Sequence, residues 1–475
     1  MSRGERGLLV ATPIGAVAAV AVGLGLGGHG GIRAAVVYAA PSALAGTGLA
    51  WQVIALEEER GVRQPLGDLR LDVVATSGGG TARWHGTTNA DGVAEVELGL
   101  PGADGVHLEV RSGSTLLAEG NAIAEAGAVR PVPASPWLRF ARREGAIVLD
   151  AAILGERAAP GFPAHLWVRG ADEKTRAPLS GVDVTIGSDP GLTVLVPGAR
   201  TDSGGWAEVV ATPVGLAVDL TLHAQRDALT GDWMGGLFMS PGGSRLETRS
   251  RWGPDDDIDI AVQTPVPRAT AYLEVDGVHG RAWAAALDLA PSHEAMPSAE
   301  VRVPRLAPGL YWAVASDDPA GAAGLGAGTT VRPFFVAQSD EAALAFGPDA
   351  SDCAPPRDSR DGPRRVASCL ALAAASPVPR WTAVEGFSMQ HVRDARRRGR
   401  GLAVALGSLL VAVILETVLL LRTAASARAR FAVDAGDPDA GPATARGVQR
   451  WSVAVALLVV LLGFALLGAF LVRLA

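Results

Sequence analysis

The residues of this 475-residue chain that could do chemistry are few and scattered. Asp255, Asp256, Asp257 and Asp259, together with Asn89, Asp91 and Asp202 in turn sequences, offer oxygen ligands of the kind calcium takes. A helical calcium loop spaces its ligands over twelve residues and closes on a bidentate Glu. That spacing is missing, so these groups read as solvated acidic turns. The eight histidines, among them His85, His107, His165, His223 and His391, lie singly, and no His-x-x-x-His or Cys-x-x-Cys gathers them into a metal site. Gly23-Leu24-Gly25-Leu26-Gly27-Gly28 matches a dinucleotide fingerprint in letters only. That loop must leave a strand and open a helix, whereas this one closes an apolar segment. With no Gly-x-Ser-x-Gly elbow and no catalytic carboxylate pair, the expectation is a protein that is not an enzyme and carries no cofactor or metal. A net charge of −7 with dispersed basic residues gives no electrostatic footprint for nucleic acid.

Two features remain. Cys353 and Cys369, the only cysteines, lie in a Pro-, Asp- and Arg-rich stretch where a disulfide would close a short loop. Such a loop is worth on the order of 3 kcal/mol through the unfolded state. Glu416 stands inside an otherwise apolar run, and a carboxylate in hydrocarbon needs a reason. Structurally it snorkels toward the cytoplasmic interface near Arg422 or pairs with an Arg on a neighbouring helix; the functional alternatives are binding of a partner and proton chemistry.

The segments that position these residues follow from hydropathy. The chain is 48% hydrophobic but has only 3 Tyr and 10 Phe, so part of its apolar content belongs to membrane spans. Residues 402–422 and 452–472 are each about twenty residues long, the length a hydrocarbon core of roughly 30 Å requires. A third apolar run, 8–28, follows Arg3 and Arg6 and reads as an uncleaved anchor rather than a signal peptide, since its cleavage context is poor. With the N-terminus cytoplasmic, the loop 423–450 and its Arg428, Arg430, Arg446 and Arg450 obey the positive-inside rule. Arg393, Arg396, Arg397, Arg398 and Arg400 then fall on the far side and oppose it. Long domains translocate largely regardless of charge. The expected location is therefore the cell (inner) membrane, with about 35–395 on the periplasmic or extracellular side.

Inside that region a pattern occurs twice, 113 residues apart. Pro65-Leu66 leads through Leu69, Leu71 and Val73 to Thr88-Asn89-Ala90-Asp91-Gly92-Val93-Ala94-Glu95-Val96. Pro178-Leu179 leads through Val182, Val184 and Ile186 to Thr201-Asp202-Ser203-Gly204-Gly205-Trp206-Ala207-Glu208-Val209. In both copies the Thr follows the Pro by 23 positions. Period-two alternation marks strands with one buried face, and the Asx-Gly turns reverse the chain between them. Short strands at such intervals predict antiparallel β-sandwiches.

The pattern Tyr38, Gly46, Trp51-Gln52-Val53, Pro65-Leu66 and Thr88 to Ala94 resembles the macroglobulin-like and related bacterial immunoglobulin-like domains, over about 35–125 and 145–240. The Cys-Gly-Glu-Gln thioester motif of complete macroglobulins is absent, so the resemblance implies the module and not the covalent trap. The expected organisation is an anchor helix at 1–34, macroglobulin-like sandwiches at 35–130 and 131–248, and a third β-rich domain at 249–340. A loop-rich segment with the cysteine pair at 341–400 and a transmembrane hairpin at 401–475 complete it. The expected fold class is mainly β, with tandem antiparallel sandwiches, an N-terminal apolar helix and two C-terminal transmembrane helices. The expected role is presentation of a binding or scaffold surface to a protein or glycan ligand. Alternatives are a non-catalytic subunit of a membrane or envelope export complex, and an enzyme with no recognisable short motif. Expected partners are membrane lipid and a membrane protein.

Overall fold

The computed structural model describes residues 14, 15, 18, 31–43, 49–100, 105–123, 135–155, 157–187, 189–291, 296–319, 328–348, 353, 362–373, 378 and 381–434. The chain divides into two units. One comprises Ala35–Leu56 and Pro65–Glu385, and the other comprises Met1–Ala34, Glu57–Gln64 and Gly386–Ala475.

The first unit is mainly β and holds three two-layer sandwiches, antiparallel except where Arg251–Trp252 pairs in parallel with Thr330–Val336. Alternation builds each of them. In the second sandwich Val184 and Ile186, Val209 and Ala211, Leu220 and Leu222, and Trp233 point inward while their neighbours face out. Its sheets contain four and five strands, and the hairpin Val218–Arg226 to Leu229–Leu237 anchors the larger one. The third sandwich likewise pairs a four-stranded with a five-stranded sheet around Ile258, Ile260, Leu273, Val275, Ala313 and Phe334.

The first sandwich is closed by a distant part of the chain. The strand Trp381–Glu385 pairs with Ile32–Pro41, setting Val37 opposite Val384, and Val384 joins the apolar core there. Residues 341–400, expected to be loop-rich, also contain the helix Gly362–Ala371, which follows the short helix Asp340–Leu344. Cys353 is disulfide-bonded to Cys369 on the longer of these helices. Cys369, Val366, Leu370 and Leu344 pack on Leu310, Trp312, Val314 and Phe335, the outer face of the third sandwich. That explains why the strand Gly309–Ser316 is buried along its whole length. A strand covered on both faces can be apolar throughout, as Leu-Tyr-Trp-Ala-Val-Ala is here.

In the second unit the helix Gly386–Asp434 begins at the residue after the strand Trp381–Glu385 ends. Its stretch Gly386–Arg422 is, among the described residues, the one helix long and apolar enough to cross a membrane, with a mean hydropathy of 2.6 over 18 residues. The expected span 402–422 lies on it, preceded by the Arg393–Arg400 cluster on the same continuous helix. The other two expected spans, 8–28 and 452–472, lie almost wholly outside the described residues. At the helix start the Arg63 guanidinium sits 4.0 Å from the centre of the buried Phe387 ring. Glu58 pairs with both Arg63 (3.1 Å) and His391 (3.3 Å).

Candidate functional site: the seam between the first and third sandwiches

The repeated residues do the same mechanical work in both copies. Thr88 Oγ1 donates to the Leu66 carbonyl at 2.6 Å and accepts from Leu69 N at 3.0 Å. Thr201 Oγ1 donates to the Leu179 carbonyl at 2.7 Å and accepts from Val182 N at 2.9 Å. The next residue caps the turn. Asn89 Oδ1 accepts from the amides of Asp91 and Val93, and Asp202 Oδ1 from those of Gly204 and Trp206. Asn89 Oδ1 and Asp202 Oδ1, two of the oxygens that offered themselves as calcium ligands, are thus bonded to backbone amides. Gly92 and Gly205 sit at φ +75° and +78°, and a Cβ on either would run into a backbone carbonyl, that of Ala55 or of Gly170. Only glycine takes this conformation against so close a neighbour without strain.

The strand after each latch turns one face to its own core and the other to a different part of the protein. In the first copy Ala94 and Val96 point inward, while Val93 packs with Ile54 on Tyr272 of the third sandwich. In the second copy Ala207 and Val209 point inward, while Trp206 packs with Ala371 and Leu372 beside the disulfide-linked helix and stacks on Trp137, ring centres 5.7 Å apart. The repeated hairpins are therefore internal docking faces.

At the first of these contacts the chemistry is polar and buried. Tyr272 donates its hydroxyl to Asp91 Oδ2 at 2.7 Å and accepts from Asn89 Nδ2 at 3.4 Å. Burial of the ring, together with the Asp91 carboxylate, pushes the phenol well above its ordinary range. Beside it Arg281, with 4% of its side chain exposed, reaches Glu95 at 2.5 Å and lies 3.8 Å from Glu274, itself 5% exposed. Gln52 completes the group by donating to Glu95 Oε1 at 2.7 Å. Backbone follows the side chains, since Ala43 N donates to the Arg281 carbonyl at 2.8 Å. Next to this centre a groove of about 380 Å³ opens between the two sandwiches. Leu49, Trp51, Leu98 and Trp283 form apolar walls, and Glu95 and Arg281 contribute polar groups.

Asn89 and Asp91 stand at the seam, and the other residues singled out in the sequence fall elsewhere. Glu416 is buried on a helix face that also buries Ala405, Leu409 and Ala412, while Leu410, Val411, Ile414 and Leu421 are exposed. Asp256 accepts from Gly253 N, and Asp259 pairs with Arg302. Several histidines among the described residues have carboxylate neighbours. His85 lies 2.5 Å from Asp72, His165 2.7 Å from Glu208, and His223 2.5 Å from Asp232. Sequence spacing hides these pairs because they form across strands: Asp72 opposes His85 and Asp232 opposes His223. The Gly23–Gly28 glycines lie outside the described residues.

Of the seam residues, Gln52, Asn89, Asp91 and Glu95 belong to the patterns read from the sequence, whereas Tyr272, Glu274 and Arg281 of the third sandwich escaped sequence reasoning. The strand Thr270–Gly277 reads as half-solvated because Tyr272, Glu274 and Asp276 alternate with Ala271, Leu273 and Val275, yet every residue of it is buried.

No family model and no curated protein matches the chain. Among solved structures it is similar to a Salmonella alpha-2-macroglobulin, with 11% identity, a TM-score of 0.18, and coverage of 65% of this chain and 24% of that one. It is also similar to a tetra-tandem repeat from the extending region of a large adhesion protein (13% identity, TM-score 0.17, 64% and 74% covered). A third is invasin, a bacterial integrin-binding protein (11%, TM-score 0.16, 64% and 60% covered). The chain thus spans about a quarter of the macroglobulin's length.

Proposed function

We propose that this chain is a membrane-anchored, non-enzymatic binding or scaffold protein whose sandwiches face the periplasm or cell exterior. The observation that carries the reading is the way the β-unit is fastened. A buried Arg281–Glu95–Glu274 centre joins the first sandwich to the third. The disulfide-linked helix packs on both the second and the third. The last strand runs into an apolar helix without an intervening residue. Sandwiches held in one arrangement suit a protein that offers a fixed surface, because little conformational freedom is lost when a partner binds. The groove beside Trp283, with its aromatic wall and charged floor, is the surface assigned to a protein or glycan ligand.

The test uses full-length protein in nanodiscs, screened against envelope glycans and solubilised membrane proteins, alongside a Trp283→Ala variant. Hits weakened by that variant support the groove. Hits that are all indifferent to it would sink the assignment. Orientation is read separately: a cysteine at Glu300 should label with an impermeant maleimide in intact cells or spheroplasts, and labelling only after permeabilisation would reverse the topology.

Glu416 favours a second reading, as a subunit of a membrane or envelope assembly. Its carboxylate lies on a buried helix face within the apolar run, where a charge calls for a partner. Loss of a native-gel complex on Glu416→Gln would support this role, and an unchanged complex would dispose of it.

A further inference from the structure

The outer face of the first sandwich holds a group of side chains that the seam does not use. In the strand Gly105–Ser112, Val106, Leu108 and Val110 point into the core, so His107, Glu109 and Arg111 line the opposite face. The neighbouring strand Thr115–Ile123 sets Asn121 opposite His107 and Glu119 opposite Glu109. Two carboxylates directly opposed across a sheet repel each other, a pairing that costs stability unless a positive charge lies between them.

His107 Nδ1 lies 2.9 Å from Asn121 Oδ1, a contact in which Nδ1 donates and which turns Nε2 toward the two carboxylates. Nε2 is 3.9 Å from Glu109 Oε1 and 3.9 Å from Glu119 Oε1, too far for a hydrogen bond to either. Arg111 holds Glu109 through the other oxygen, Oε2, at 3.1 and 2.9 Å, which turns Oε1 toward the histidine. Nε2 and the two Oε1 atoms therefore lie within reach of one point, with the imidazole oriented from behind by an amide oxygen. That is how metal-ligating histidines are held.

We propose that His107 Nε2, Glu109 Oε1 and Glu119 Oε1 bind a divalent transition-metal ion, with zinc the best fit. One imidazole nitrogen with two carboxylate oxygens suits zinc better than calcium, which takes an all-oxygen shell. With bonds of about 2.1 Å and tetrahedral angles, ligand atoms sit about 3.4 Å apart, so binding draws each carboxylate in by roughly half an ångström. Rotation of a Glu side chain that is a third exposed supplies that movement. Three protein ligands leave the fourth position open to water or to a donor from a partner.

Full-length protein in detergent, stripped with EDTA, is titrated with zinc chloride by calorimetry, with cobalt chloride as an optical probe. The expected result is one ion per chain and cobalt bands of low coordination number. His107→Gln and Glu119→Gln should each weaken zinc at least tenfold, and Asn121→Ala should weaken it about 10- to 100-fold through the lost orientation of the ring. His85→Gln, on another surface His–Asp pair, should leave affinity within twofold. Zinc uptake that is absent in the wild type, or equally strong in His107→Gln, overturns the proposal. Glu119→Gln is nearly isosteric and lies on the surface, and far-UV circular dichroism on each variant separates lost binding from lost folding.

Discussion

Replacing Arg281 with Met should pull the first and third sandwiches apart energetically while leaving each core intact. Arg281 lies 2.5 Å from Glu95 and 3.8 Å from Glu274, and all three are largely withdrawn from water. At an effective dielectric of about 20 the longer of these contacts alone is worth roughly 4 kcal/mol of gross attraction. Desolvation offsets much of that in the intact centre, so the net worth of the trio is small. Removing the cation is another matter, because two carboxylates are then left buried and facing each other. Loss of one partner from a buried ion pair costs about 3–5 kcal/mol. For domains of this size each kcal/mol moves Tm by about 2–4 °C, so Arg281→Met should lower the main transition by roughly 6–20 °C. The assay is thermal unfolding of the full chain in detergent for wild type, Arg281→Met, Glu95→Gln and the double variant. The double variant should recover part of the loss, with a coupling between the two positions of about 1–3 kcal/mol. If Arg281→Met unfolds within 2 °C of wild type, or if the two losses simply add, the seam is not an electrostatic lock and the reasoning fails.

Further outcomes follow from the latches, the tyrosines and the disulfide. Thr201→Val removes a donor and an acceptor at a buried position and should cost about 2–3 kcal/mol in chemical denaturation. Gly205→Ala, at φ +78° with the Gly170 carbonyl 2.6 Å from the added carbon, should cost more than Thr201→Val, and the reverse order would contradict the latch geometry. In alkali, Tyr272 and Tyr311, both raised by burial, should stay protonated in the folded chain above pH 10, as read by absorbance at 295 nm. Because their folded values lie above the unfolded one, the stability they contribute is complete below about pH 10 and drains away as pH climbs through the folded values. Tyr272→Phe should flatten that loss. Cys353→Ser with Cys369→Ser should lower stability by about 2–4 kcal/mol and loosen the helix Gly362–Ala371, seen as earlier cleavage by trypsin at Arg364 and Arg365.

The latches were legible because Thr, Asx and Gly each act through their own backbone neighbourhood, and a local device leaves a local signature. Strand alternation was legible for the same reason. The third sandwich's side of the seam was not, because Tyr272, Glu274 and Asp276 carry the alternation of a solvent-facing strand whether the facing material is water or another sandwich. Charge in a sequence marks a polar partner without saying which. The histidine pairs were hidden by sheet register, which joins residues 9 to 43 positions apart. The cysteine pair was found, since only two thiols existed to join. Its helix was missed, because a short helix covered by two sandwiches draws its stability from packing and less from its own propensity.

The strand Trp381–Glu385 gives this molecule an unusual order of assembly. Residue 37 must wait for residue 384, so the first sandwich emerges from the ribosome long before its edge can be completed. Until then the Ile32–Pro41 strand, with Val36 and Val37 in it, presents an unpaired apolar edge of the kind that invites wrong partners. Contacts of such sequence separation form late. The residue that ends the closing strand is followed at once by the apolar helix, so completion of the first sandwich and arrival of that helix become nearly one event. A chain cut short anywhere before Trp381 should therefore be recognised by proteases as unfinished at its beginning as well as at its end.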